Sequence, residues 1–155
     1  MKLEQHGSLV DYVNEKYLQP IDAKGRVLLP KDFRDDFKIR KAEPLYLFPN
    51  ITEPPYLEIR TQGLWDGYLA ALLATFSGSD KKDMYRFVKT KYVRVAPDGQ
   101  GRIVIPEKLR AICALDDEVL FVNMKKHIEV WNRKHIDTKD IAMSKAFRER
   151  SDELF

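Results

Sequence analysis

The sequence predicts an α+β fold, mainly β, in which one small strand-and-helix unit occurs twice, with helices between the copies and after the second. Three observations carry this expectation. A turn–strand–proline–helix segment recurs at a fixed offset, short apolar runs of strand length follow each copy in the same order, and the stretches between and after the copies carry apolar residues at helical spacing.

The duplication organises the rest. Residues 22–34 read D-A-K-G-R-V-L-L-P-K-D-F-R and residues 98–110 read D-G-Q-G-R-I-V-I-P-E-K-L-R. Asp22/Asp98, Gly25/Gly101, Arg26/Arg102, Pro30/Pro106 and Arg34/Arg110 are identical pairs, each 76 residues apart. Leu45–Phe48 then corresponds to Val119–Val122 at an offset of 74, and Leu57–Arg60 to Ile128–Trp131 at an offset of 71, so the first copy carries extra loop residues between Pro49 and Pro55. Within each copy, Asp at the first position and Gly at the fourth suit a type I turn: the carboxylate accepts turn N–H groups and Gly tolerates the conformation that follows. A short strand, Arg26–Leu29 or Arg102–Ile105, leaves the turn. Pro30 or Pro106 is then expected at the first helical position, where its missing N–H costs nothing. A helix of two or three turns should follow, with Phe33, Phe37 and Ile39, or Leu109, Ile112 and Leu115, pointing inward. Two more strands close each copy.

Leu64, Trp65, Tyr68, Leu69, Leu72, Leu73 and Phe76 predict a helix between the copies with a broad apolar face, serving as core or as an interface. Ser77-Gly-Ser79 marks a break, and a basic amphipathic helix follows from about Asp80 to Thr90. The segment from His135 to Leu154 has helical spacing at Ile136, Ile141 and Phe147 but many charges, and is expected to attach loosely. The division is therefore 17–62 for the first unit, 63–90 for the connector, 91–134 for the second unit and 135–155 for the tail. Residues 1–16 precede the first unit and have no counterpart in the second.

Composition narrows the function. The chain has 155 residues, 44% hydrophobic and 33% charged, which suits a globular protein. No apolar run reaches the roughly 18–20 residues of a membrane span, and the N-terminus lacks an apolar signal core, so a soluble cytoplasmic protein is expected. A single cysteine, Cys113, excludes an internal disulfide framework and a cysteine-based metal cluster. His6, His127 and His135 form no ligand-spaced pair, and Gly25 and Gly101 sit on turns rather than in a phosphate loop. No enzyme activity, metal, cofactor or small-molecule substrate is expected. Net charge is +3 and the pI near 8.9, which permits a nucleic-acid partner without marking one.

The doubled DxxxR motif, each copy followed by a branched-apolar strand, Pro and a short helix ending in Arg, resembles the MraZ family over residues 17–134. The I-E-V-W strand of the second copy fits the same pattern. The resemblance implies tandem AbrB-like swapped-hairpin modules of the double-split β-barrel type, whose copies interleave because neither has a stable core alone. It implies a cytoplasmic, nucleoid-associated transcriptional regulator of cell-wall and division genes, binding short direct repeats near its own promoter as a homo-oligomeric ring, an octamer or larger. The chain departs from the family in its additional residues 1–16, in Pro20 within the strand before the first motif, and in Lys89-Thr-Lys91 where small residues are usual. Arg26 and Arg102 are the expected contacts to double-stranded DNA, because an Arg on a rigid turn can fork onto guanine O6 and N7 or onto phosphate. Lys24 is expected to meet phosphate and Gln100 a base edge. Asp22, Asp98, Gly25 and Gly101 brace the turns. The bland alternative is that both Asp–Arg pairs only stabilise turns. Lys81, Lys82, Arg86, Lys89, Lys91 and Arg94, interleaved with Tyr85, Phe87 and Tyr92, form a second basic cluster, read first as a solvated helix face. Two other functions fit: an AbrB-like antitoxin holding a partner protein through its C-terminal tail, or a ring scaffold.

Overall fold

The computed structural model describes residues 15–154, so the additional segment expected at 1–16 lies outside it up to residue 14. The order of elements repeats. The first copy contributes β1 (Lys16–Pro20), β2 (Arg26–Leu28), α1 (Lys31–Asp36), β3 (Leu45–Asn50) and β4 (Tyr56–Thr61). The second contributes β5 (Val93–Val95), β6 (Arg102–Val104), α4 (Glu107–Ile112), β7 (Glu118–Asn123) and β8 (Ile128–Asn132). Between them run α2 (Gln62–Ala74) and α3 (Gly78–Lys91), and α5 (Arg133–Leu154) follows.

The strands do not stay within their copies. A six-stranded antiparallel sheet has the order β1-β7-β8-β4-β3-β5, and β2 pairs with β6 in a separate two-stranded ribbon. The first strand of each copy therefore pairs with the other copy: β1 with β7, and β5 with β3. Register locates an approximate two-fold axis relating the copies. Val27 faces Ile103 at the centre of the ribbon, and Glu58 faces Glu129 at the centre of the β4–β8 pair. Each of these pairs joins two positions that correspond in the repeat, as an axis of this kind requires. Pro20 is tolerated because it ends β1, which among the described residues is an edge strand whose other side has no ladder to feed.

The pairing follows from burial. Val27, Leu29, Ile103 and Ile105 alternate inward from the ribbon and enter one core with Phe33, Leu45, Leu47, Leu57 and Ile59 of the first copy and Leu109, Val119, Phe121, Ile128 and Val130 of the second. A three-residue ribbon is marginal alone. Burying each of these side chains contributes about 1.5–3 kcal/mol, so the ribbon is held by its inner face. Phe33 sits at the junction, edge-on to Tyr17 (5.9 Å) and to Phe121 (6.2 Å).

The short helices differ from expectation in two respects. Pro30 and Pro106 are the N-cap residues, with ψ of 140° and 149°, rather than the first helical ones. Each helix has six residues, fewer than two full turns. Both end through a left-handed residue, Lys38 (φ 56°) and Ala114 (φ 54°). Beyond each, a 2.8 Å bond from Ile39 N to Arg34 O, or from Leu115 N to Arg110 O, closes the turn. The apolar residues expected to face inward do so: Phe33, Ile39 and Leu109 are buried, and Phe37, Ile112 and Leu115 pack against the core.

The connector forms two helices that break where expected, with Ser77 as N-cap and Gly78 at φ 58°. They cover the outer face of β3, where Tyr46, Phe48, Trp65 and Val88 form a second buried cluster and Tyr46 stacks on Trp65 at 5.2 Å. The face around Trp65 is thus core. Asn132 caps α5 through a 2.8 Å bond from Lys134 N to its Oδ1. The helix rests mainly on β7 and β8, and Ile141, Met143 and Phe147 are exposed. Among the described residues no helix is long and apolar enough to cross a membrane.

Candidate nucleic-acid interface

The two DxxxR turns share one geometry. Asp22 Oδ1 accepts hydrogen bonds from the backbone N–H groups of Lys24 (3.0 Å) and Arg26 (2.9 Å), while its Oδ2 accepts from Arg26 Nε at 2.7 Å. Asp98 repeats the set with Gln100 N (2.8 Å), Arg102 N (3.0 Å) and Arg102 Nε (3.0 Å). A backbone bond closes each turn, Gly25 N to Asp22 O at 2.9 Å and Gly101 N to Asp98 O at 3.0 Å. Gly25 and Gly101 hold φ of 85° and 82°, which a side chain would strain. One aspartate thus fixes both the backbone and the guanidinium of its turn. The carboxyls of Asp22 and Asp98 are held below the usual carboxylate range, first by the backbone N–H of Arg26 and of Arg102 and then by the other turn donors.

The turns are also tied to each other across the two-fold. Leu29 N donates to Gly101 O (3.0 Å) and Ile105 N to Gly25 O (2.8 Å). Arg34, at the end of α1, donates from Nε to Leu29 O and lies against Gly101, and Arg110, at the end of α4, donates to Ile105 O and lies against Gly25. The last arginine of each motif is therefore structural, packing on the opposite copy's turn. This explains why the repeat extends to residues 34 and 110.

The outer face of the ribbon carries Arg26, Leu28, Arg102 and Val104. In its register Arg26 lies across from Val104 and Leu28 across from Arg102, so the two arginines occupy one diagonal of an exposed face. Leu28 and Val104 are 42% and 47% exposed, an unusual position for apolar side chains on a strand. Each arginine uses Nε for its aspartate, which aims the guanidinium and leaves its Nη end for other work. Lys24 and Gln100 sit at the two turn tips and are exposed. The structure brings all eight residues singled out in the sequence to the two ends of one ribbon.

The second basic cluster lies on the outward face of α3 and on β5. Arg86 pairs with Asp83 at 2.8 Å, Lys89 lies over the rings of Tyr85 and Tyr92, and Lys91 over Phe87. Its cations are in part neutralised or stacked within their own helix. Cys113 is buried, its thiol pushed up to about 12 by burial, and its Sγ donates to Tyr56 O at 3.4 Å, so it offers no nucleophile. One constellation escaped the sequence reading. His127 Nε2 lies 3.2 Å from Glu129 Oε2 and 3.8 Å from Glu58 Oε2 on the outer face of β4 and β8. Glu58 and His127 are 69 residues apart, so no local spacing rule could find them. Glu58 and Glu129 do correspond in the repeat, which was the available signal.

Fold and site together define a duplicated α+β protein whose two copies share one sheet and present paired acid-braced arginines. A family model described as "MraZ protein, putative antitoxin-like" matches residues 90–148. A transcriptional regulator MraZ from Acetivibrio thermocellus is 30% identical over 123 residues, covering 76% of this chain and 79% of the relative. Another from Desulforapulum autotrophicum is 29% identical over 130 residues, covering 84% and 86%. The solution structure of PHS018 from Pyrococcus horikoshii aligns over 78% of this chain and 89% of that one, at 15% identity and a TM-score of 0.34. The chain belongs to the MraZ family.

Proposed function

We propose that this chain is a DNA-binding transcriptional regulator that reads duplex DNA with the outer face of the β2–β6 ribbon. The observation that carries this reading is the identical acid-braced arginine at both ends of one exposed ribbon, with apolar Leu28 and Val104 between them. A two-stranded ribbon fits a major groove about 12 Å wide. There Arg26 and Arg102 present fixed forks to guanine or phosphate, Lys24 meets phosphate, Gln100 meets a base edge, and Leu28 or Val104 can touch a thymine methyl. A merely structural ion pair would not need its cation aimed into solvent beside exposed apolar residues.

The exchanged β1–β7, β5–β3 and β2–β6 pairings support a swapped-hairpin, AbrB-like architecture of the double-split barrel type. Within it we read 17–62 and 91–134 as the interleaved units, 63–90 as the connector and 135–155 as the tail. One ribbon touches few phosphates, so several protomers in a ring on spaced direct repeats would raise effective affinity by ~10²–10⁴. The regulated sites would include its own promoter and a cluster of division and cell-wall genes, and the protein would then associate with the nucleoid. A second reading, an antitoxin-like protein gripping a partner with α5, is favoured by the exposure of Ile141, Met143 and Phe147.

The test is a fluorescence titration of a duplex from the gene's own upstream region at two salt concentrations, with wild type and an Arg26→Ala/Arg102→Ala variant of unchanged oligomer size. Tight binding that weakens steeply with salt and collapses in the variant is expected. Equal binding by both proteins would move the interface to α3. No binding by either would leave the ring-scaffold or partner-protein reading.

A further inference from the structure

The approximate two-fold axis that passes through the ribbon leaves the molecule between β4 and β8, where Glu58 faces Glu129. Two carboxylates directly opposite one another on adjacent strands repel, and Glu58 is buried. Arg60 compensates only part of this, since its Nη1 bonds Glu58 Oε1 at 2.8 Å. One net negative charge remains on the pair.

The hydrogen bonds around the pair are arranged with direction. Arg60 holds Oε1 of Glu58, and Trp131 Nε1 holds Oε1 of Glu129 at 2.8 Å. Both Oε2 atoms turn toward the same point, His127 Nε2, with Asn50 Nδ2 also donating to Glu58 Oε2 at 3.1 Å. The three donor atoms lie within 4.8 Å of one another. The His127 distances of 3.2 and 3.8 Å bracket the edge of about 3.4 Å expected between donors of a tetrahedral ion with bonds near 2.1 Å. Beside His127 opens a cavity of about 720 Å³, lined in part by Arg60, Gly63, Gly67, Tyr68 and Lys126, with room for water on a fourth position. Lys125, also on its wall, is paired to Glu15.

We propose that Glu58, His127 and Glu129 form a divalent transition-metal site, zinc(II) fitting best, that clasps the two copies at the centre of the sheet. Two carboxylates, each oriented by an outer donor, and one imidazole make a three-ligand set with an open position. The repeat explains its origin. Glu58 and Glu129 meet because they are the same position in two copies, and Tyr56 in the first copy corresponds to His127 in the second, so divergence at that one position supplied the nitrogen ligand. The inference is independent of DNA binding.

The experiment uses the full chain after chelator treatment. Zinc binding is followed by calorimetry, cobalt(II) binding by visible absorption, and melting is recorded with chelator and with zinc. One ion per chain, a four-coordinate cobalt spectrum, and a melting temperature raised by about 5–10 °C at a hundredfold excess over Kd are expected. His127→Gln and Glu129→Gln should abolish the spectrum and the melting shift, and Trp131→Phe should weaken zinc ~10–100-fold while leaving the ligands in place. Trp131→Phe also serves if a ligand variant fails to fold. No zinc binding up to about 1 mM, or equal binding by wild type and folded variants, overturns the site.

Discussion

Replacing Gly25 and Gly101 separately by alanine should have unequal consequences, although the two glycines correspond in the repeat. Both hold φ above 80°, so each alanine incurs about 1–2 kcal/mol of backbone strain. They differ in what a Cβ would strike. At Gly101 the nearest atoms belong to the Arg34 guanidinium, at 2.8–2.9 Å, a flexible group that can swing aside. That movement gives up the Arg34–Leu29 O bond, worth about 1 kcal/mol. The total for Gly101→Ala is about 2–3 kcal/mol, or a melting temperature lower by ~5–10 °C. At Gly25 the Cβ would lie 2.3 Å from the carbonyl oxygen of Ile105 and 2.9 Å from Arg110 Nε. Backbone must move, and the Ile105 N to Gly25 O bond tying the copies is lost. Leaving such buried groups unpaired adds ~1–3 kcal/mol, and displacing Arg110 gives up its bond to Ile105 O for about 1 kcal/mol more, so Gly25→Ala should cost about 3–6 kcal/mol. That approaches the whole stability of a protein at the lower end of ~5–15 kcal/mol. Urea denaturation monitored by Trp65 and Trp131 fluorescence measures both. Equal losses, or a larger loss for Gly101→Ala, would refute the cross-braced geometry of the turns.

Three further outcomes follow from the same structure. The turn hydrogen bonds hold the folded carboxyls of Asp22 and Asp98 below the ordinary aspartate value of 3.8, so their stabilising effect is present above that pH and is lost as pH falls through the lowered values. An Asp22→Asn/Asp98→Asn variant should therefore be less stable at pH 7 and show a shallower loss below pH 3.8 than wild type, read by acid titration of circular dichroism. Cys113, buried and with its thiol pushed up to about 12, should resist a thiol reagent at pH 8 in the native protein and react at once in denaturant. Fast labelling of the native chain would show that the α4 core opens readily. Phe33→Ala should cost about 3–5 kcal/mol in the same urea assay, because Phe33 joins Tyr17 and Phe121 across the copies. A loss under 1 kcal/mol would mean that this junction does not hold the copies together.

Much of this architecture was legible because duplication repeats its own errors and signals. Asp, Gly, Arg and Pro at one offset identified both turns, since each residue type answers a separate demand: a carboxylate for the N–H groups, a positive φ, a cation and a helix start. The helix break at residues 77–79 was equally plain. What the sequence did not display was partnership. Leu45–Phe48 reads as a strand, but its buried run does not say that one side is served by β4 and the other by β5 from the second copy. The helices α1 and α4 came out shorter than expected because Phe37 and Cys113 already cap them, and the apolar Ile39 and Leu115 lie past the left-handed Lys38 and Ala114 rather than on another helical turn. Arg34 and Arg110 were visible as repeat identities, yet their packing on the opposite turn needs the two-fold. So does the meeting of Glu58 with Glu129. In each case the missing information is long-range register, which short periodicity does not encode.

On the proposed reading, Arg26 and Arg102 recognise DNA as aimed forks and not as bare charges. The most direct measurement compares wild type with an Arg26→Lys/Arg102→Lys variant, titrating each against the upstream duplex and a scrambled duplex across a salt series. Lysine keeps the charge and loses the planar fork. Affinity for the scrambled duplex and its salt slope should stay close to wild type, while preference for the upstream duplex falls by about 1–3 kcal/mol per arginine. If the lysine variant keeps the full preference, the ribbon arginines do not read sequence through their guanidinium forks.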